Sequence, residues 1–106
     1  MVGDIYLAKI YFTNAQNYKL RPILIVKKNS FGDYIYIPFT TNSNNQNSMK
    51  INNNDLENGN FRKESYLIID KTCTIQPNLL DKNIGMLKSN ILNDVLSRYC
   101  YFLNDK

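Results

Sequence analysis

Arg21 and Thr40 are the residues of this chain best suited to act on a phosphate. Arg21-Pro22 stands between a polar stretch, Thr13–Leu20, and an apolar run, Ile23-Leu24-Ile25-Val26. Thr40 closes a second run that begins at Tyr34 and contains Ile37-Pro38-Phe39. A guanidinium keeps its proton throughout the physiological range, and its planar fork matches phosphate oxygens. A threonine hydroxyl adds a short neutral donor. Surface arginines are common, so a solvated Arg21 on a strand rim is the plain alternative. The motifs around it favour the anion-binding role.

Composition removes much competing chemistry. The chain has 106 residues, no histidine and two cysteines, Cys73 and Cys100. Without histidine there is no Ser-His-Asp or Cys-His nucleophile and no His-pair ribonuclease mechanism. Two cysteines are too few for a zinc site, and no metal or other cofactor is expected. Cys100 falls on the apolar stripe of a helical pattern and reads as core. The N-terminus carries no secretory pattern and no apolar run approaches the ~18 residues of a membrane span. A cytoplasmic protein without membrane contact, and without a disulfide, is the expectation. The formal net charge of +4 is unevenly spread. Lys9, Lys19, Arg21, Lys27, Lys28 and Lys50 face only Asp4 and Asp33 in residues 1–53, whereas the second half balances. A basic bias in the half that holds Arg21 suits a polyanionic partner.

The elements that must position these residues are mostly strands. The length suits one domain, 1–106. Residues from Gly3 to Phe12 are rich in β-formers. Arg21 reads as the residue that opens a central strand running to Lys27, with Pro22 at its first position or at a bulge because proline donates no ladder bond. Asn29–Asp33 is a turn by its Asn, Gly and Asp content. Tyr34–Thr40 is the next strand, and Pro38 marks an edge or bulge near its end. Nine of the nineteen residues 42–60 are Asn, which predicts a polar loop with at most a short strand at Ser48–Ile51. Ser65–Lys71 and Asn83–Leu87 read as further strands. Ser89 is a candidate N-cap. Ile91, Leu92, Val95, Leu96, Tyr99, Cys100 and Leu103 then recur at helical spacing. Many short strands and one closing helix predict a small, strongly bent antiparallel barrel, mainly β with a C-terminal α-helix.

In this order the motifs resemble the MazF/PemK family of toxin endoribonucleases. They are Gly3-Asp4-Ile5-Tyr6, Phe12-Thr13-Asn14, Lys19-Leu20-Arg21-Pro22-Ile23-Leu24-Ile25-Val26 and Ile37-Pro38-Phe39-Thr40-Thr41. Glu64–Ile75 and Asn83-Ile84-Gly85-Met86-Leu87 continue the likeness toward the C-terminus. The resemblance implies an SH3-like barrel, a homodimer, a cognate antitoxin with an acidic segment, and cleavage of single-stranded RNA. It places the catalytic pair at Arg21 and Thr40. Asp4, Phe12, Thr13, Lys19, Thr41, Asn42, Asp70, Lys71 and Thr72 occupy positions that line the family's RNA groove. Related barrel toxins that bind DNA gyrase without hydrolysis are the alternative, as is a degenerate member that only binds.

RNA brings its own nucleophile, the 2′-hydroxyl. A cation and hydroxyl donors can then supply the electrostatics without a metal. Two arginines used by some family members are absent, since Ile68 and Cys73 stand in their places. Asp70, Lys19 and a tyrosinate are the candidates for the general base. Phe12 reads first as core; Phe12 or Tyr11 could instead stack on an unpaired base.

Overall fold

The computed structural model describes residues 1–11 and 16–105. Phe12 and Thr13, two of the groove positions, lie outside the described residues.

Among the described residues, eight strands form one antiparallel sheet that curls on itself, and one α-helix follows. The strands are β1 (Asp4–Tyr11), β2 (Tyr18–Lys28), β3 (Tyr34–Thr40), β4 (Ser48–Ile51), β5 (Leu56–Gly59), β6 (Ser65–Ile68), β7 (Cys73–Ile75) and β8 (Leu80–Leu87); the helix α1 is Ser89–Asn104. Their order across the sheet is β4-β6-β3-β2-β1-β8-β5, with β7 also paired to β3. This is the bent mainly-β architecture with one C-terminal helix that the strand pattern implied.

The middle of the sheet follows from residue type. Ile23, Leu24 and Ile25 are buried on both faces, as a central strand requires. The Asn29–Asp33 turn forms because the Asn29 side chain accepts from the Phe31 and Asp33 amides, at 2.9 and 3.0 Å, while Gly32 takes φ 87°. Alternation then splits the apolar residues between two clusters. Ile5, Leu24, Ile37, Phe39, Leu67 and Leu87 lie on the face covered by α1, which buries Val95 completely and packs Ile91, Leu92 and Tyr99 alongside. Ala8, Ile23, Ile25, Tyr36 and Ile75 form the cluster on the other face.

Several sequence expectations need correction. Arg21 does not open its strand. β2 begins at Tyr18, so Arg21 is its fourth residue and Pro22 its fifth. Residues Tyr18–Pro22 pair only with β1, and the bonds to β3 start at Ile23, so Pro22 stands where β2 acquires its second neighbour. The Asn-rich segment holds more than one short strand. A 3₁₀ turn at Asn53–Asp55 leads into β5, which pairs with β8, and Leu56 is buried there. Its asparagines build the turns themselves: Asn53 both donates to and accepts from the Phe61 backbone. Ser89 is not the N-cap, which is Lys88 with no side-chain capping bond. Cys100 is exposed, not core, because the helix buries only a narrow stripe centred on Val95.

Candidate active site

The cleft is made by a change of partner along β3. Tyr34, Ile35 and Tyr36 pair with β7, whereas Phe39 and Thr40 pair with β6. Pro38 sits at the changeover, where its missing N–H costs no ladder bond on that side. The chain between β6 and β7 arcs away from the sheet and opens a hollow. Three of the bonds that hold that arc are these. The Ile69 amide donates to the Asn47 carbonyl (2.9 Å), the Lys71 amide donates to Ile68 (3.1 Å), and the Thr72 hydroxyl is bonded to the Tyr99 hydroxyl of α1 (3.0 Å).

The hollow has a volume of about 460 Å³. Strand period two decides what enters it. Lys19, Arg21 and Ile23 share one face of β2; Tyr36, Pro38 and Thr40 share the same face of β3, with Ile23 opposite Pro38. Ile10, the partner of Lys19 across the ribbon, completes an apolar floor with Ile23, Pro38 and Ile68. Lys71 and Cys73 close the side formed by the arc. Lys19, Arg21 and Lys71 are the charged groups that line the hollow, and none of them forms an ion pair among the described residues. Lys50, by contrast, is neutralised by Glu64 at 3.2 Å. Three unpaired cations around an apolar floor are chemically suited to a phosphate that carries an apolar or aromatic group.

Thr40 is oriented within this site. Its Oγ1 accepts the Asn42 amide at 3.1 Å. That bond uses an oxygen lone pair and leaves the hydroxyl proton to donate elsewhere. Asn42 thus acts through its backbone, while its side chain accepts the Asn44 amide at 2.9 Å. Thr41 is exposed next to them.

Other sequence candidates fall outside the hollow. Asp4 lies at the start of β1, paired with Met86 and 3.6 Å from the N-terminal ammonium. Arg21 faces Ala8, four residues further along that strand, a separation of about 13 Å at strand rise. Asp70, within the arc, is exposed and accepts from the Asn47 side chain at 2.9 Å, and it does not line the cleft. Thr72 is engaged with Tyr99. Tyr11 pairs with Tyr18, which places both rings on the face of the ribbon opposite Lys19 and Arg21.

Two residues that sequence reasoning passed over line the site. Tyr36 and Cys73 face each other across β3 and β7. Burial, reinforced by the adjacent Cys73 thiol, pushes the Tyr36 hydroxyl up to about 12. Tyr36 therefore stays neutral at physiological pH. The available signal was the shared parity of Tyr36, Pro38 and Thr40; only the β3–β7 register brings Cys73 to them. Among the described residues, no three His, Cys, Asp or Glu side chains come together as a metal site. No helix among them is long and apolar enough to cross a membrane.

A curled half-barrel with one closing helix and a cation-lined cleft at a strand-partner switch defines a small barrel protein. The chain belongs to the PemK-like, MazF-like toxins of type II toxin-antitoxin systems, whose family model matches residues 1–103. Solved structures share the fold. An endoribonuclease from a mycobacterial species superposes with a TM-score of 0.72 at 17% identity, covering 97% of this chain and 89% of that one. A mycobacterial endoribonuclease in complex with its cognate antitoxin gives 0.68 at 17% identity, over 97% and 91%. The Mycobacterium tuberculosis toxin MazF-mt6 gives 0.66 at 20% identity, over 91% and 90%. No curated sequence matches the chain.

Proposed function

We propose that this toxin is a metal-independent endoribonuclease that cleaves single-stranded RNA in the Lys19–Arg21–Thr40–Lys71 cleft. The observation that carries the reading is the convergence of Arg21, Thr40 and two further unpaired cations on one hollow with no carboxylate in its lining. Such a site suits a phosphodiester.

The reaction is a transesterification within the RNA. The 2′-oxygen attacks the adjacent phosphorus, the O2′–P bond forms, and the P–O5′ bond breaks. Negative charge concentrates on the non-bridging oxygens as the phosphorus becomes five-coordinate. Arg21 meets that charge with two parallel N–H donors, and Thr40 donates its free hydroxyl proton to the same oxygens. Because the Asn42 amide already holds Oγ1, the hydroxyl is preorganised before substrate arrives. Tyr36 is unsuited to be the base, since its proton is held too tightly. Asp70 is engaged outside the lining. Lys19 lines the cleft as a cation and meets phosphate charge beside Arg21, while the 2′-hydroxyl proton passes to solvent water and the departing O5′ takes its proton from water. The products are a 2′,3′-cyclic phosphate and a 5′-hydroxyl.

RNA is the substrate, a cognate antitoxin the regulator, and a second copy of the chain the partner that extends the groove. Tyr101 and Leu103, 76% and 59% exposed on α1, supply apolar surface for protein contact. The test is incubation of purified protein with mixed-sequence single-stranded RNA in EDTA. Cleavage with cyclic-phosphate ends is expected, and 2′-deoxyribose at the cut site blocks it. Products with 3′-hydroxyl ends, or cutting of the deoxy substrate, overturn the mechanism.

A further inference from the structure

The geometry points to a second RNA-binding surface, a tyrosine–lysine platform on the back of the β1–β2 ribbon that stacks unpaired bases of the strand leaving the cleft. This inference rests on the RNA-cleaving reading above.

The platform is read from the register. Leu7 pairs with Pro22, Lys9 with Leu20 and Tyr11 with Tyr18, so these six share the face opposite Lys19 and Arg21. Close to the core this face is covered: Ile5 and Leu24, its next pair inward, are buried against the cluster that carries α1. Further out the cover ends. Tyr11 and Tyr18 are each 46% exposed and Leu20 is 44% exposed. The two rings lie 5.5 Å apart at 53°, and Lys9 Nζ stands 5.3 Å over the Tyr18 ring. Lys82 of β8 pairs with Leu7 and brings a second cation beside the row. Asp81 occupies the irregularity next to it, as the one nearby carboxylate on β8.

Exposed aromatic faces flanked by lysines suit single-stranded nucleic acid, because bases stack on the rings while cations meet the phosphates. Among the described residues, Tyr18–Arg21 pair with β1 and have no β3 neighbour on their other edge. A flexible strand whose phosphate sits on Arg21 can cross that edge, past Lys19, and reach the rings on the other side. A second copy of the chain fits the surface less well. A two-fold contact presses a patch against itself. Lys9 and Lys82 would then face their own counterparts with only Asp81 to offset them.

The test separates length-dependent binding from chemistry. Wild type, Tyr11→Ala/Tyr18→Ala, Tyr18→Trp and Lys9→Gln are compared on RNA of about 4 and about 12 nucleotides. The double alanine variant is expected to raise KM on the long RNA roughly tenfold or more, with kcat held and the short RNA unaffected. Tyr18→Trp keeps the stacking surface and retains the wild-type KM. Lys9→Gln flattens the salt dependence of long-RNA binding by one phosphate contact. Fluorescence anisotropy with an uncleavable 2′-O-methyl RNA of the longer length reads the same loss without chemistry. An unchanged long-RNA KM and affinity in the double variant overturns the platform. So does an equal loss of kcat on both lengths, which would mean the rings merely support the cleft. A changed sedimentation coefficient in the double variant also overturns it and assigns the face to a protein contact. Failure of wild type to cut any RNA refutes the nuclease reading instead, and the anisotropy comparison still decides the platform.

Discussion

Replacing Thr40 by valine isolates one hydroxyl at nearly constant volume. The side chain sits at the end of β3, half-buried, and its oxygen accepts the Asn42 amide at 3.1 Å. Valine removes that acceptor. Because Asn42 is exposed, water can take its place, so the stability cost is at most about 1 kcal/mol. The β3–β6 pairing of Thr40 with Tyr66 is a backbone property and survives. Valine also suits a strand. The catalytic cost is of another size. Loss of one preorganised donor to a developing oxyanion lowers kcat by about 10²–10³-fold, or roughly 2.7–4 kcal/mol. Thr40→Ser restores the hydroxyl and recovers most of the rate. The assay is initial-rate cleavage of a fluorogenic RNA, with circular dichroism melts of all three proteins. A folded valine variant that cuts within about threefold of wild type would refute the assignment of Thr40 as a charge-stabilising donor.

Arg21→Ala should lose at least as much activity as Thr40→Val while remaining folded, because Arg21 is exposed and carries no ion pair among the described residues; cleavage and melting assays check both halves. Lys19→Gln and Lys71→Gln should each reduce the slope of log affinity against log salt by roughly 0.7 on single-stranded RNA, measured by anisotropy titrations at several salt concentrations. Leu67→Ala should cost about 2–5 kcal/mol in urea unfolding, since Leu67 is fully buried where β6 meets β3 and β4. Tyr36, whose hydroxyl is raised from 10.0 to about 12, keeps its proton more tightly folded than unfolded, so its contribution is fully present below pH 10 and lost toward pH 12. Tyr36→Phe should remove that part of the alkaline decline, as read from unfolding at a series of pH values.

The residues themselves determined the strand runs, the Asn29–Asp33 turn and the amphipathic helix, and they singled out Arg21 and Thr40 as candidates. Each rests on local signals: β-branched runs, an Asn-Gly-Asp turn chemistry, a 3.6-residue stripe, and a proline beside an arginine. Period two already implied that Lys19 and Arg21 share a face once the strand was known to start at Tyr18. The tertiary structure decided what those signals leave open. Thirty residues separate Thr40 from Asp70, and only the pairing of β3 with β6 and then β7 determines that Lys71 and Cys73 enter the cleft while Asp70 and Asp4 do not. The same pairing turned Pro38 from a presumed edge marker into the point where β3 changes neighbours. Cys100 looked like core because a periodic stripe does not say how wide a strip the sheet will cover. Long-range register is a property of the whole sheet. It is chosen by which apolar faces can be buried together, and no window of the sequence contains both halves of that choice.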